Sequence, residues 1–324
     1  MSNQFLRHYS LLISGPQYKE YGGTAEKDQL AREITDPLQI TFNITKTITR
    51  EPNTAEIIIY NLSPQTESEI IREGSQLTFL AGYEEPGVIF KGQIIQPTRG
   101  KQGTDYTLKL TALDGDAYIN LGFLSGTILS NQTRRQIASQ VLRQSNIQLD
   151  SVVVDDLPET DTVDGSIPRN ERAKVVFGQP SKYLTNLSKM GNASFYIDNN
   201  EAKFFNPNKT PRELEAHLIN AETGMIGLPQ QIPYGVSVTC LLNPTIKLGD
   251  FIKIDNKSII MEDVGVWDTN YYSHLLNADG IYRIIKIDYT GDFRGNEWFC
   301  HLTAISQVSN LPAMLGGAQG FLML

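Results

Sequence analysis

The first third of the chain alternates apolar and polar residues with a period of two. The clearest case is formed by Leu38, Ile40, Phe42 and Ile44. Such spacing turns one face of a strand toward a core and the other toward solvent. Further short runs rich in Ile, Thr, Phe and Tyr cover residues 54–60, 76–81, 88–96 and 106–112. With one brief helix predicted over 64–72 after a possible cap at Ser63, the pattern favours a barrel or a sandwich.

The apolar period changes to that of helices beyond residue 116. Thr133 followed by Gln136 resembles a capping box and opens an amphipathic helix. A second amphipathic helix is predicted to begin at the cap Ser181 and to end at Gly191 in the C′ position. Two successive helices set this part of the chain apart from the strands before it.

A hairpin and then a second set of strands follow the helices. Asn199-Asn200 separates two strand-like runs, and both residues tolerate the positive φ that a two-residue turn needs. Strand patterns return over residues 236–242, 251–254, 280–289 and 296–305. The last two of these runs are joined by the turn sequence GDFRGN.

These patterns predict a mainly β fold with an α+β insertion. A length of 324 residues exceeds the roughly 100–200 residues of one ordinary domain, so more than one domain is expected. The predicted divisions are a first β domain at 1–115, an α+β domain at 116–225, a second β domain at 226–310 and a tail at 311–324. The α+β domain is predicted to contain helices near 131–145 and 181–190 and a hairpin at 193–206.

The tail reads LPAMLGGAQGFLML and contains no charged residue. An exposed apolar segment invites aggregation unless something covers it, which favours contact with a partner or a neighbouring subunit. Folding back onto its own domain, or disorder, is the equally weighted alternative. The candidate contact residues are Leu311, Met314, Leu315, Phe321, Leu322, Met323 and Leu324.

Composition limits the classes of function that fit. A net charge of −8 and a pI near 5.1 disfavour tight binding to nucleic acid, which needs clustered Lys and Arg. Cys240 and Cys300 form no CxxC motif and suggest neither a disulfide framework nor a zinc site, so each is expected to be a small buried hydrophobe. With no apolar run of about 20 residues, no membrane span is expected, and we predict a soluble protein made and used without secretion.

The sequence carries no recognisable catalytic frame. The four histidines form no HExxH motif, no Ser lies in GxSxG, and the glycines match neither GxGxxG nor GxxxxGK[ST]. Asp residues between 114 and 164 lack the spacing of a calcium loop and are expected to lie in solvated turns. We therefore expect no enzyme activity, no cofactor and no metal.

Three segments, at 112–149, at 179–205 and from 241 onward, repeat an ordered set of turns, helix caps and strands. Their turn and cap positions are Asp114, Gly115, Gly191, Asn243, Pro244, Gly249 and Asp250. In this order the segments resemble the late control protein D family of phage baseplate hubs, which also supplies the N-terminal part of type VI secretion spike proteins. The resemblance covers about 200 of the 324 residues, and each motif alone is largely fold chemistry.

The resemblance implies a structural subunit with two tail-tube-like antiparallel β-barrel domains and a smaller α+β domain. It implies a homotrimeric ring that joins the sixfold tail tube of a contractile tail to the threefold spike. The expected partners are the tail tube protein, the central spike protein and other baseplate proteins, with DNA only in transit through the lumen. The expected location is the virion tail baseplate, after synthesis in the host cytoplasm.

Two other classes of function stay open at this point. A hydrolytic tail-tip enzyme would need a cleft with a tuned acid and a second carboxylate or nucleophile. An oligonucleotide-binding barrel would need aromatic residues interleaved with Lys and Arg, whereas the 27 Tyr and Phe residues are scattered at strand spacing. Core packing accounts better for these aromatic residues.

Overall fold

The computed structural model describes residues 6–14, 32–35, 37–70, 74–147, 149–159, 167–207, 216–232, 234–260 and 279–306. The described strands are β1 Arg7–Ser14, β2 Arg32–Thr35, β3 Ile40–Thr47, β4 Asn53–Tyr60, β5 Gln76–Tyr83, β6 Gly87–Gln102, β7 Asp105–Asp114, β8 Leu124–Ile128, β9 Ser151–Val153, β10 Lys174–Gly178, β11 Ser194–Asp198, β12 Glu201–Phe205, β13 Ala216–Leu218, β14 Met225–Ile232, β15 Gly235–Leu241, β16 Phe251–Lys253, β17 Ile281–Asp292 and β18 Trp298–Ile305. The described α-helices are α1 Pro64–Ile70, α2 Arg134–Gln144 and α3 Pro180–Lys189, with a π-helical turn at Ala117–Leu121 and short 3-10 turns at Ala221–Thr223 and Asn256–Ser258.

One large sheet contains strands from both ends of the chain. Its order is β14-β15-β18-β17-β3-β4-β7-β6-β5-β1-β2, and β16 pairs with both β17 and β13. The two halves meet where β17 pairs antiparallel with β3, from Lys286 opposite Thr47 to Asp292 opposite Thr41. The first and second predicted β segments therefore form one continuous sheet.

Alternation along the strands builds the core of this sheet. In β3 the buried positions include Ile40, Phe42 and Ile44, and in β4 they include Ile57 and Ile59. The Phe42 ring packs in T-shaped geometry against Phe79 at a centroid distance of 4.9 Å and against Trp298 at 5.1 Å. Because β3 carries N-terminal residues and β18 carries C-terminal ones, a single core joins both segments.

A second core holds the α+β part together. Helix α2 begins after Thr133, whose side chain accepts from the backbone N–H of Gln136 while the Gln136 side chain accepts from the backbone N–H of Thr133. This is the predicted capping box. The buried face of α2 packs with Leu184 of α3 and with β8 and β10, which pair antiparallel as a separate two-stranded sheet.

The β11–β12 hairpin lies between the two cores. Tyr196 and Phe205 belong to the core of the large sheet, whereas Phe195, Ile197 and Phe204 face the α+β core. A hairpin buried on both faces explains why its strands lack the apolar–polar alternation of a half-exposed sheet. The hairpin thus connects the large sheet to the α+β part, and the region where the two meet is called the joint.

The mainly β class with an α+β insertion is confirmed. No pair among the described strands closes the large sheet into a barrel, so two barrels and the boundaries at 115 and 225 stay predictions.

The cap expected at Ser181 is wrong, because Gln179 precedes α3 and the Ser181 hydroxyl donates to the Ile119 carbonyl at 3.1 Å. None of the helices in the described ranges has the length and apolar character needed to cross a bilayer.

Candidate functional site

The joint between the large sheet and the α+β part contains most of the buried charge. Asp114 ends β7, and its carboxylate accepts the backbone N–H groups of Asn199 and Asn200 at 2.6 and 2.8 Å. These two residues form the hairpin turn with φ of 55° and 63°, as predicted. Burial, followed by the charge of Asp198, raises the pKa of Asp114 to about 6. Asp114 thus fixes the turn to the end of β7.

Gly115 allows the close approach that these hydrogen bonds require. Its φ is +70°, in the left-handed region, and a Cβ atom there would lie 2.7 Å from Ile197. Asn53 completes the contact, since its amide donates to the Ile197 carbonyl at 2.9 Å and to Asp114 at 3.3 Å. The Asp-Gly pair is therefore a docking point for the hairpin.

A buried ion pair forms the second contact across the joint. The Lys46 ammonium donates to Asp198 at 2.7 Å, and only 4% and 2% of these side chains are exposed. Lys203 donates to the other Asp198 oxygen at 2.9 Å. Burial opposes ionisation of Asp198, but the two lysines outweigh it and lower its pKa to about 2. Asp198 is thus a stable carboxylate between β3 and the hairpin.

Arg283 forms the third contact. Its guanidinium donates to the Gly249 carbonyl at 2.9 Å and to Asp156 at 2.5 Å, and it also donates to the Asn206 carbonyl. It lies over the Phe205 ring at 4.1 Å. Burial lowers the pKa of Arg283 despite the nearby carboxylate. A single side chain on β17 thus ties together three loops around the joint.

Asn243, Pro244 and Asp250, from the sequence motif, shape turns on the large sheet. Asn243 accepts from the Thr245 hydroxyl at 2.7 Å, and Asp250 accepts from the Lys247 N–H at 2.8 Å. The Pro244 ring lies against the backbone of Gly87, where a Cβ atom would come within 2.7 Å of it. Asn243 and Asp250 thus stabilise local turns, whereas Pro244 packs against a distant strand.

The other two glycines of the motif, Gly191 and Gly249, differ in conformation. Gly249 has φ +84° and lies at the joint, where a Cβ atom would lie 3.4 Å from the Tyr196 hydroxyl. Gly191 follows the C-cap residue Met190 of α3, but the left-handed conformation falls on Asn192, with φ 51°. Gly191 therefore occupies the predicted C′ position, and the left-handed conformation belongs to the residue after it.

An exposed apolar surface lies on the two-stranded sheet of the α+β part. Val175 and Phe177 of β10 are 77% and 79% exposed, and the Phe177 ring meets Phe123 edge-on at 4.8 Å. Leu121 is also exposed beside the start of β8. Exposed apolar patches of this kind mark contact surfaces. The predicted contact residues from Leu311 to Leu324 lie outside the described residues.

The buried contacts of several residues were not predicted from the sequence, among them those of Lys46 at the joint and of two cysteines in the large sheet. Lys46 carried a signal, because it follows Ile40, Phe42 and Ile44 at the next inward position of β3. Cys240 and Cys300 carried none, since only strand register places them opposite each other. In the described ranges no group of three His, Cys, Asp or Glu residues is placed to hold a metal ion.

The overall fold is that of phage tail proteins. The 43 kDa tail protein of prophage MuSo2 from Shewanella oneidensis aligns with a TM-score of 0.55 at 10% identity, over 93% of this chain and 98% of that one. A tail protein from Neisseria meningitidis MC58 gives 0.55 at 7% identity, over 93% and 97%. At these identities the likeness concerns the fold alone.

The family follows from the sequence. The family model described as baseplate hub gp41 matches residues 23–261, well over half of the chain. This chain belongs to the baseplate hub gp41 family, a family of structural phage tail proteins, and the expected kinship with baseplate hubs is confirmed. No curated protein sequence matches it.

Proposed function

We propose that this chain is a non-enzymatic hub subunit of a contractile phage tail. In this proposal three copies form a ring around the tail axis, which joins the sixfold tail tube to the threefold spike and lets DNA pass. The observation that carries it is the match to baseplate hubs over residues 23–261. Synthesis in the host cytoplasm and assembly with tube, spike and other baseplate proteins belong to the same proposal.

The continuous sheet supports the match between threefold and sixfold symmetry. Each chain contributes two β segments, joined edge to edge where β3 pairs with β17. Three chains would then present six similar segments to the six subunits of a tube ring. The buried contacts of Asp114, Lys46 and Arg283 would hold the α+β part at a fixed angle to that ring.

Net charge supports passage of DNA without binding. The chain carries −8, and carboxylates that face a lumen would repel phosphates at short range. A lumen lined with Lys and Arg would instead retain the DNA. The proposal therefore requires an acidic or neutral channel wall.

We also propose that the apolar segment 311–324 packs on the β10 surface of a neighbouring copy. The segment is uncharged, and the surface presents Val175, Phe177 and Phe123. The 18 residues after Ser306 can span up to about 60 Å, whereas a folded chain of this length has a radius of gyration of about 20 Å. The segment is therefore long enough to reach another subunit.

Cryo-electron microscopy of the purified chain mixed with its tail tube protein tests this function. We expect a threefold ring in which both β segments of each chain face the axis below a sixfold tube. A strongly basic channel wall, or a ring with one segment turned outward, would overturn the proposal. Hydrolysis of purified peptidoglycan by the chain would instead favour a tail-tip enzyme.

A further inference from the structure

Cys240 and Cys300 lie directly opposite each other on neighbouring antiparallel strands. Cys240 is in β15 and Cys300 is in β18, 60 positions later in the sequence. Their Sγ atoms are 3.1 Å apart, and both side chains are buried free thiols. No spacing motif in the sequence indicates this pair, and the proposed hub function does not require it.

We propose that Cys240 and Cys300 are a disulfide site that oxidation closes within the folded chain. Directly opposite residues of an antiparallel pair have Cα atoms about 4.5–5.5 Å apart, and a disulfide tolerates about 4.4–6.8 Å. The bond can therefore form by a closer approach of the two sulfur atoms while the strands keep their register. This inference does not depend on the proposed function.

A small peroxide is a suitable oxidant for such a buried pair. The Cys300 thiolate attacks one oxygen of hydrogen peroxide and the O–O bond breaks. Cys300 becomes a sulfenic acid, and the other oxygen departs as hydroxide. The Cys240 sulfur then attacks the Cys300 sulfur, the S–O bond breaks, and a second hydroxide leaves. The two thiol protons convert both hydroxides to water, so the thiols lose two electrons in total and the peroxide gains them.

The thiols differ in their readiness to ionise. Hydrogen bonding from the Cys240 thiol lowers the pKa of Cys300, whereas that bond and burial raise the pKa of Cys240. Cys300 is therefore the nucleophile of the first step. Access depends on β14, which pairs Met225 with Cys240 and has irregular register between Ile226 and Gln230. Opening of this edge strand is expected to limit the rate.

The disulfide would bind β15 to β18 and close a long loop. Cross-links over loops of this length stabilise by restricting the unfolded chain. For a chain of this size we expect oxidation to raise the Tm by about 5–10 °C. The site would stay open in a reducing cell and close in oxidising surroundings.

Intact-mass spectrometry tests the site on the full chain purified with reductant. After peroxide treatment and denaturation in N-ethylmaleimide, we expect a species that lacks two hydrogen atoms and takes up no maleimide. Its Tm should be higher and should return to the starting value with dithiothreitol. Cys240→Ala and Cys300→Ala serve as matched variants, in which peroxide should leave the Tm without this rise.

Two outcomes would overturn the proposal. One is continued uptake of two maleimide groups after peroxide treatment in mild urea. The urea is added to open the edge strand β14, so that peroxide can reach the thiols. The other is oxidation of the thiols to sulfinic acids without loss of two hydrogen atoms. If both single variants fail to fold, the masses and the dithiothreitol reversal of the native chain still decide.

Discussion

Replacement of Lys46 by Met tests whether the buried ion pair holds the joint together. The variant keeps the length of the side chain but leaves Asp198 buried with Lys203 as its remaining partner at 2.9 Å. Removal of one partner of a buried pair costs about 3–5 kcal/mol. Because Lys203 remains, we expect a loss near the lower end, about 3 kcal/mol in the free energy of unfolding at pH 7, measured by urea unfolding.

Two further variants isolate the cause. Lys46→Met combined with Asp198→Asn removes both charges, so we expect this double variant to recover at least half of the loss. Lys109→Met is the matched control, because Lys109 pairs with Glu56 where 39% and 51% of the side chains are exposed. Its loss should stay below about 1 kcal/mol. A Lys46→Met loss as small as that of the control, or a double variant no more stable than Lys46→Met, would refute the reasoning.

Three more predictions concern the same joint. Gly115→Ala should lower stability by more than about 1 kcal/mol in urea unfolding, because a Cβ atom would meet Ile197 in a left-handed backbone; an unchanged midpoint would contradict this. The pKa of Asp114 is raised from 3.8 to about 6 in the folded chain, so its protonation stabilises the fold. This contribution to the free energy of unfolding is fully present below about pH 4, and about 3 kcal/mol of it is lost as the pH rises past about 6. Urea unfolding of Asp114→Asn at both pH values should lack that change, and an equal change in both proteins would argue against it. Arg283→Met should lower the Tm by several degrees, because it removes the buried contacts with Asp156 and with the Gly249 and Asn206 carbonyls, whereas Arg294→Met, at an exposed turn, should not.

Strands and caps could be predicted from the sequence because they depend on neighbouring residues. The alternation in β3, the Thr133–Gln136 capping box and the Asn199-Asn200 turn are local patterns with local causes. The predicted cap of α3 was wrong because of a tertiary contact. The Ser181 hydroxyl donates a hydrogen bond to the carbonyl of Ile119, which is distant in sequence, and does not cap the helix. Local preference gave way there to packing.

The site was less predictable because it depends on contacts between distant segments. Asp114 and Gly115 were singled out as a family-like turn, yet their contact with a hairpin about 85 residues later has no local pattern. Arg283 meets Asp156 across 127 positions. Strand pairing brings such residues together, and the pairing of β3 with β17 could not be inferred from either strand alone.

The solution mass of the intact chain, measured by light scattering, tests the central proposal most directly. A homotrimer has three times the 36.2 kDa chain mass, about 109 kDa, and we expect this mass for the intact chain and a smaller one for residues 1–310. A Phe177→Ser variant should resemble the truncated chain, because it removes the proposed counterpart of the apolar segment. A mass of 36.2 kDa at every concentration of the intact chain would contradict a ring built by this chain.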